Sequence, residues 1–201
     1  MTDRKPQSVV YWYFDFISPF AYLQHEIFKI VRQNRPDFSV TPVPVLFAGL
    51  LKHFEHKGPA EIEPKRELTY RYCDWYAARH GIAFALPAVH PFNPLPFLRL
   101  SLARQNDPAV IDRIFQYVWR ESSEDLSFST MECIQRIPGF EQVAAETADE
   151  AIKNQLRDNT ELAISRGVFG VPTLEVEGEL YWGVDMTEMA LERLYPTEIT
   201  S

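Results

Sequence analysis

The stretch Val9-Val10-Tyr11-Trp12-Tyr13-Phe14-Asp15-Phe16-Ile17-Ser18-Pro19-Phe20-Ala21-Tyr22-Leu23 decides how this chain is read. Residues 8–16 are aromatic and β-branched with Asp15 as the single charge, the pattern of a strand covered on both faces. Ser18-Pro19 then begins a helix, because serine is a favoured N-cap and proline suits the first helical position. The helix is expected to run to about Arg35-Pro36, where proline stops it. Phe38-Ser39-Val40-Thr41-Pro42-Val43 reads as a second strand. The resulting β-α-β unit implies parallel strands and a right-handed crossover.

The far end answers this opening. Gly167-Val168-Phe169-Gly170-Val171-Pro172-Thr173-Leu174 leads into a strand, a turn at Gly178-Glu179, a second strand over Leu180-Tyr181-Trp182 and a helix over Thr187 to Leu194. Between the two ends, helical spacing replaces strand alternation. Leu68, Tyr72, Trp75, Tyr76 and Arg79 share one helical face that stops at Gly81, and Pro96 to Gln105, Ala109 to Arg120 and Asp149 to Arg166 read as further helices. Pro87, Pro91, Pro94 and Pro96 make a turn-rich connector. The fold class is therefore α/β, a thioredoxin-like fold interrupted by a large all-helical insertion. Residues 1–45 and 167–201 form the thioredoxin-like domain, and 46–166 the insertion.

Composition bounds the function. A hydrophobic content of 46% with 24% charged residues describes an ordinary globular protein able to bury a core over its 201 residues. With 20 basic and 28 acidic residues the net charge is −8, which argues against a nucleic-acid partner, since phosphate binding needs a basic footprint. No apolar run has the length of a membrane span and the amino terminus is polar, so a cytoplasmic protein is expected. Cys73 and Cys133 form no CxxC pair, which excludes local dithiol chemistry and fits a reducing compartment, and both lie in helical apolar patterns, the setting of buried structural thiols.

Ser18 reads either as a simple helix cap or as a hydrogen-bond donor to a thiolate supplied by a ligand, held where the helix N-terminus favours negative charge. Val171-Pro172 is expected to be a cis pair facing that helix start, with the Val171 backbone pairing to a peptide-like ligand. Asp15, alone in a buried strand, has to be paired or protonated and is read as structural. His53 and His56 are three apart but lack a supporting ligand set, so no metal is expected.

The chain resembles the 2-hydroxychromene-2-carboxylate isomerases, relatives of the kappa-class glutathione transferases. The resemblance rests on Tyr13 to Leu23, Pro44-Val45-Leu46-Phe47-Ala48-Gly49-Leu50-Leu51, Pro64-Lys65-Arg66, His90-Pro91-Phe92-Asn93-Pro94-Leu95-Pro96, Gly167 to Thr173, and Tyr181-Trp182-Gly183-Val184-Asp185. It implies a glutathione cofactor and, as partner, a small aromatic electrophile; a homodimer is expected. By the same resemblance Ser18 is the catalytic residue and holds the glutathione sulfur, and Val171 beside Pro172 pairs with its cysteinyl backbone. Trp182, Gly183, Val184 and Asp185 receive the γ-glutamyl end, although Val184 and Met186 stand where the family often has Asn or Ser and Arg. Lys52, Lys57, Lys65 and His56 are the candidates to meet the glycyl end. His90 and Asn93 are placed in the substrate pocket. The implied activity is glutathione-dependent cis/trans isomerisation by reversible thiolate addition. Its alternatives are a kappa-type transferase or peroxidase and, from another class, a non-catalytic binding module in which Ser18 only caps a helix.

Overall fold

The structure is a computed structural model and describes residues 9–121, 130–137, 139–140 and 144–196. The first unit is β1 (Val10–Phe14), α1 (Pro19–Asn34) and β2 (Thr41–Pro44), with β1 and β2 parallel and Tyr13 beside Val43. The second strand starts later than the sequence suggests. Phe38 N–H donates to Arg35 O at 2.9 Å, closing a turn that sends the buried Phe38 ring against Phe28 rather than into the sheet.

After β2 come α2 (Phe47–His53), α3 (Glu63–His80), α4 (Leu95–Ala103), α5 (Pro108–Gln116), α6 (Thr130–Gln135) and α7 (Glu150–Ser165). Then β3 (Thr173–Val176) and β4 (Glu179–Trp182) form an antiparallel hairpin, followed by α8 (Thr187–Leu194). The sheet order is β2-β1-β3-β4, with β1 and β3 antiparallel. This is the thioredoxin-like arrangement with helices carried between β2 and β3. Of the stretch 46–166 expected as an insertion, α7 differs in packing on β2 and α2 as well as on α4. Its Ala163 joins Tyr13, Val45, Leu50, Val168 and Val171 in a small second core.

The main core is aromatic and lies beneath β1 and α1. Trp12 stacks on Phe14 at 4.2 Å, and Phe16, Phe28 and Phe115 close around them. The helix expected over Ala109 to Arg120 changes pitch: α5 ends at Gln116 and a π-helical turn covers Tyr117–Glu121. Trp119 on that turn is wholly buried, and its Nε1–H donates to Phe16 O at 3.0 Å. Helix α3 ends as expected at Gly81, which adopts a left-handed φ of 66°. Its apolar periodicity marks the buried side in part: Tyr72 and Tyr76 pack against the core beside the buried Cys73 and Ala77, while Leu68 and Trp75 are 56% and 55% exposed. The Cys133 side chain lies outside the described residues.

The edge strand β2 carries Pro42 and Pro44, whose carbonyls accept from the side-chain amides of Asn106 and Asn159 at 3.3 and 3.1 Å. At the other end of the sheet, fully buried Gln24 ties three elements together. It accepts from Trp12 Nε1 at 2.8 Å and donates to Gly183 O at 3.2 Å and Thr187 Oγ1 at 2.9 Å. Replacing Gln24 by Leu keeps the volume but strands the Trp12 N–H and the Gly183 carbonyl. A buried polar group left unpaired costs about 1–3 kcal/mol, so Gln24→Leu is expected to lower unfolding stability by at least that amount, read by urea denaturation. An unchanged midpoint would show that these bonds contribute nothing.

Candidate functional site

Ser18 sits where β1 hands over to α1, and its surroundings leave the turn no freedom. Ser18 N–H donates to Asp15 O at 3.1 Å, and Ile17 N–H donates to Asp15 Oδ1 at 3.1 Å. Phe16 O is taken by Trp119, and Ile17 O lies 2.7 Å from His90 Nε2. Ser18 is the N-cap of α1: its Oγ accepts from Ala21 N–H at 3.3 Å. The same hydroxyl donates to Val171 O at 3.4 Å, a long bond across 153 positions of chain. The Val171–Pro172 peptide is cis, as is His90–Pro91. Thus the two motifs at opposite ends of the sequence meet at Ser18 and Val171.

They meet on the wall of a cavity of about 640 Å³. Ser18, Pro19 and Phe20 form its floor at the first turn of α1, where the backbone N–H groups carry the positive end of the helix dipole. Phe47, Ala48 and Leu51 of α2 and the loop His56 to Ala60 cover one side; Lys65, Thr69 and Tyr70 of α3 and His90 line another. Phe169, Gly170, Val171 and Trp182 close the third. Gly170 is required here, since a Cβ would come 2.5 Å from Trp182 Nε1. A smaller neighbouring depression of about 430 Å³ is lined by Lys52, Glu55, His56, Lys57 and Glu61.

Of the residues singled out in the sequence, Ser18, His56, Lys57, Lys65, His90, Val171 and Trp182 line the main cavity, and Lys52 faces the smaller one. Asn93 does not line either. It is exposed, and its Oδ1 accepts from Leu95 N–H at 3.1 Å, because a short amide before a helix start serves the orphan N–H groups first. Pro172 is buried behind Val171 and takes Gly183 N–H on its carbonyl at 2.8 Å. Val184 is buried, Asp185 is exposed, and neither these nor Gly183 reach the cavity wall. Asp185 is not the cap of α8; Met186 occupies that position.

Several positioning residues carry no local signature in the sequence. Trp119 and Gln24 look like ordinary interior residues of helices, and Tyr70 lies on a face of α3 that its apolar spacing does not mark. Elsewhere, His25, Glu26 and Asp112 bring metal-type ligands together, but Lys29 places its ammonium between the two carboxylates. Arg120 adds a second cation to Glu26 at 2.8 Å, so this cluster is an ion-pair network joining α1 to α5.

The site and fold together define a thioredoxin-type protein that presents a serine, rather than a cysteine pair, at the start of α1. The chain belongs to the DSBA-like thioredoxin domain family, whose model matches residues 9–195. It is 28% identical to 2-hydroxychromene-2-carboxylate isomerase of Pseudomonas putida over 92% of this chain and 95% of that protein. Glutathione S-transferase kappa 2 of Caenorhabditis elegans is 25% identical over 88% of this chain and 83% of its own. In fold, a solved 2-hydroxychromene-2-carboxylate isomerase superposes with a TM-score of 0.77 at 24% identity, covering 92% of this chain and 95% of that one.

Asp15 links the serine turn to the cavity's lid. Its second oxygen accepts from Phe47 N–H, the first residue of α2, at 2.9 Å. Complete burial pushes its carboxyl up to about 7 from an ordinary 3.8, against the downward pull of the Phe47, Ile17 and Phe16 backbone N–H groups. A group raised in the folded state contributes stability that is complete below about pH 4 and is lost as pH rises through about 7. Asp15→Asn is therefore expected to flatten the fall in melting temperature between pH 4 and pH 7. A variant profile parallel to that of the parent would show that Asp15 does not titrate in this range.

Proposed function

We propose that this protein is a glutathione-dependent cis/trans isomerase of an aromatic small molecule of the 2-hydroxychromene-2-carboxylate type. The observation that carries this reading is the meeting of Ser18 and Val171, across a cis Val171–Pro172 bond, on the wall of a largely apolar cavity. The identity with the Pseudomonas putida isomerase over nearly the full length of both chains supports the reaction class.

The residues present fit a tripeptide thiol. The cavity volume lies in the usual range for small-molecule sites, roughly 300–1,000 Å³. Val171 offers main-chain groups for strand-like pairing, and its carbonyl is engaged only by the long Ser18 bond among the hydrogen bonds of the described residues. His56, Lys57 and Lys65 line the cavity and Lys52 lines the adjoining depression, so that the glycyl carboxylate would find a cation on either wall. Of the segment 182–185 Trp182 alone lines the cavity and would meet the γ-glutamyl end there, whereas the turn 183–185, beside Pro172, does not reach the wall.

When bound, glutathione supplies a thiolate that adds reversibly to a conjugated carbon, so that a double bond becomes a rotatable single bond until elimination restores it. The chain's own part is to keep the sulfur charged and the site dry. Ser18 Oγ–H, loosely given to Val171 O, is the donor that would hold the sulfur, and the α1 N-terminus would stabilise the same charge. The serine does not act as a base, because its hydroxyl is held by Ala21 N–H and the Val171 carbonyl and, among the described residues, no carboxylate or imidazole receives its proton. Phe20, Phe47, Leu51 and Phe169 supply apolar walls that hold an aromatic ring and exclude water. The kappa-class relative favours conjugation by the same thiolate as a second reading, and product analysis separates the two.

Ser18→Ala removes one hydrogen bond to a charged sulfur, worth about 1.5–3 kcal/mol, and is expected to cut turnover roughly 10- to 100-fold while glutathione affinity changes little. If Ser18 were only a cap, the same change would lower stability by about 1 kcal/mol and leave turnover per folded molecule intact. Melting temperature, glutathione titration and turnover on one preparation decide between these outcomes.

A further inference from the structure

Tyr70, on α3, and His90, in the connector before α4, both line the cavity and are joined to each other. His90 Nε2 lies 2.7 Å from the Ile17 carbonyl. A carbonyl only accepts, so Nε2 carries a hydrogen. On the other side of the ring, Nδ1 lies 2.7 Å from the Tyr70 hydroxyl, which is also 3.3 Å from the His90 carbonyl. Two proton arrangements satisfy these distances. In a neutral imidazole Nδ1 is bare and the tyrosine hydroxyl donates to it. In an imidazolium Nδ1–H donates to the tyrosine oxygen, and the hydroxyl turns to the His90 carbonyl. Burial lowers the His90 pKa and raises that of Tyr70, which favours the first arrangement.

Both arrangements spend the Tyr70 proton on His90 and leave the phenol oxygen with a free lone pair. An ordinary pocket tyrosine donates; this one accepts. The difference matters in a cavity where Ser18, Lys57, Lys65 and Trp182 all bring donors, and where the Glu61 carboxylate already takes Gly58 N–H at 2.8 Å.

We propose that Tyr70, with its proton committed to His90, is a specificity-determining acceptor that reads a hydroxyl group on the aromatic substrate. The inference rests on the cavity being the glutathione and electrophile site, and it adds to that reading a residue that selects the ring-opened form, whose aryl oxygen is a free phenol, over a ring-closed chromene or a methyl ether, whose aryl oxygen carries no hydrogen. A phenol hydroxyl donates to the Tyr70 oxygen, whereas a methyl ether brings no donor and crowds a lone pair against a lone pair.

The test uses the full chain saturated with S-methylglutathione, which has no thiol to react. Binding of a 2-hydroxyphenyl enone carboxylate and of its 2-methoxyphenyl counterpart is measured by titration calorimetry. The hydroxyl compound is expected to bind roughly 10- to 100-fold more tightly, the scale of one buried hydrogen bond and an avoided unpaired group. Tyr70→Phe should bring the ratio to within about threefold without changing S-methylglutathione affinity. His90→Gln can still donate to the Ile17 carbonyl but offers no second ring nitrogen to hold the tyrosine proton, so it should raise the affinity of the ether. Equal binding of the two compounds by the parent overturns the inference, as does binding of neither or a hydroxyl preference retained in Tyr70→Phe. Should Tyr70→Phe not fold, the parent ratio and His90→Gln decide. Failure of S-methylglutathione to bind counts instead against the glutathione reading, and the hydroxyl-to-ether ratio is then measured on the protein alone.

Discussion

Everything at this site depends on the immobility of four residues, Asp15 to Ser18, between β1 and α1. Their exposed backbone groups are claimed from every direction: Trp119 from the π-helical turn, His90 from the proline-rich connector, and the Asp15 carboxylate reaching forward to Ile17 and across to α2. The helix start is thereby fixed relative to the sheet, the connector and the lid at once. Electrostatic stabilisation of a charge at a helix start is useful only if the donors are already in place when the charge arrives. Here the cost of arranging them is met during folding, by burying Trp119 and Asp15.

That arrangement also explains the division of labour between the two halves of the chain. The β-α-β unit and the hairpin bring Ser18 and Val171 together, as in a thioredoxin-like fold generally. The intervening helices supply what makes the cavity particular, from the apolar residues of α2 to Lys65 and Tyr70 of α3 and His90. Fold and chemistry are therefore separable. Changes to cavity-lining side chains such as Leu51, Lys65 or Tyr70 alter what the cavity accepts, while the serine turn depends on Trp119, Asp15 and the His90 ring being held as they are.

Much of this was legible before any coordinates. Ser18-Pro19 and Val171-Pro172 are local signals with one mechanism each, a cap and a cis-capable bond, and the structure joins them as expected. Helices α1, α7 and α8 carry clear stops at Arg35-Pro36, Gly167 and the end of the chain's last apolar pattern. Failures occurred where tertiary contacts outweigh local pattern. Phe38 looks like a strand residue but is drawn beneath α1 by Phe28. On α3 the exposed Leu68 and Trp75 fall in the same helical spacing as the core-packed Tyr72 and Tyr76, so periodicity alone did not single out Cys73 and Ala77. Asn93 has the chemistry of a pocket residue but stands just ahead of the Pro94 cap of α4, and its oxygen is taken by the Leu95 amide. The Tyr70–His90 pair spans 20 positions, and nothing in either residue's neighbours announces the other.

The prolines of β2 have a consequence at the level of assembly. A sheet edge normally invites a further strand, since its outward N–H and C=O groups wait for partners. At Pro42 and Pro44 the donors do not exist, and the carbonyls are already occupied by Asn106 and Asn159. That border of the sheet is sealed against both copies of the same chain and misfolded neighbours. Association between copies through this border would have to use side-chain surfaces rather than backbone pairing, which leaves β4 as the sheet edge open to main-chain partners.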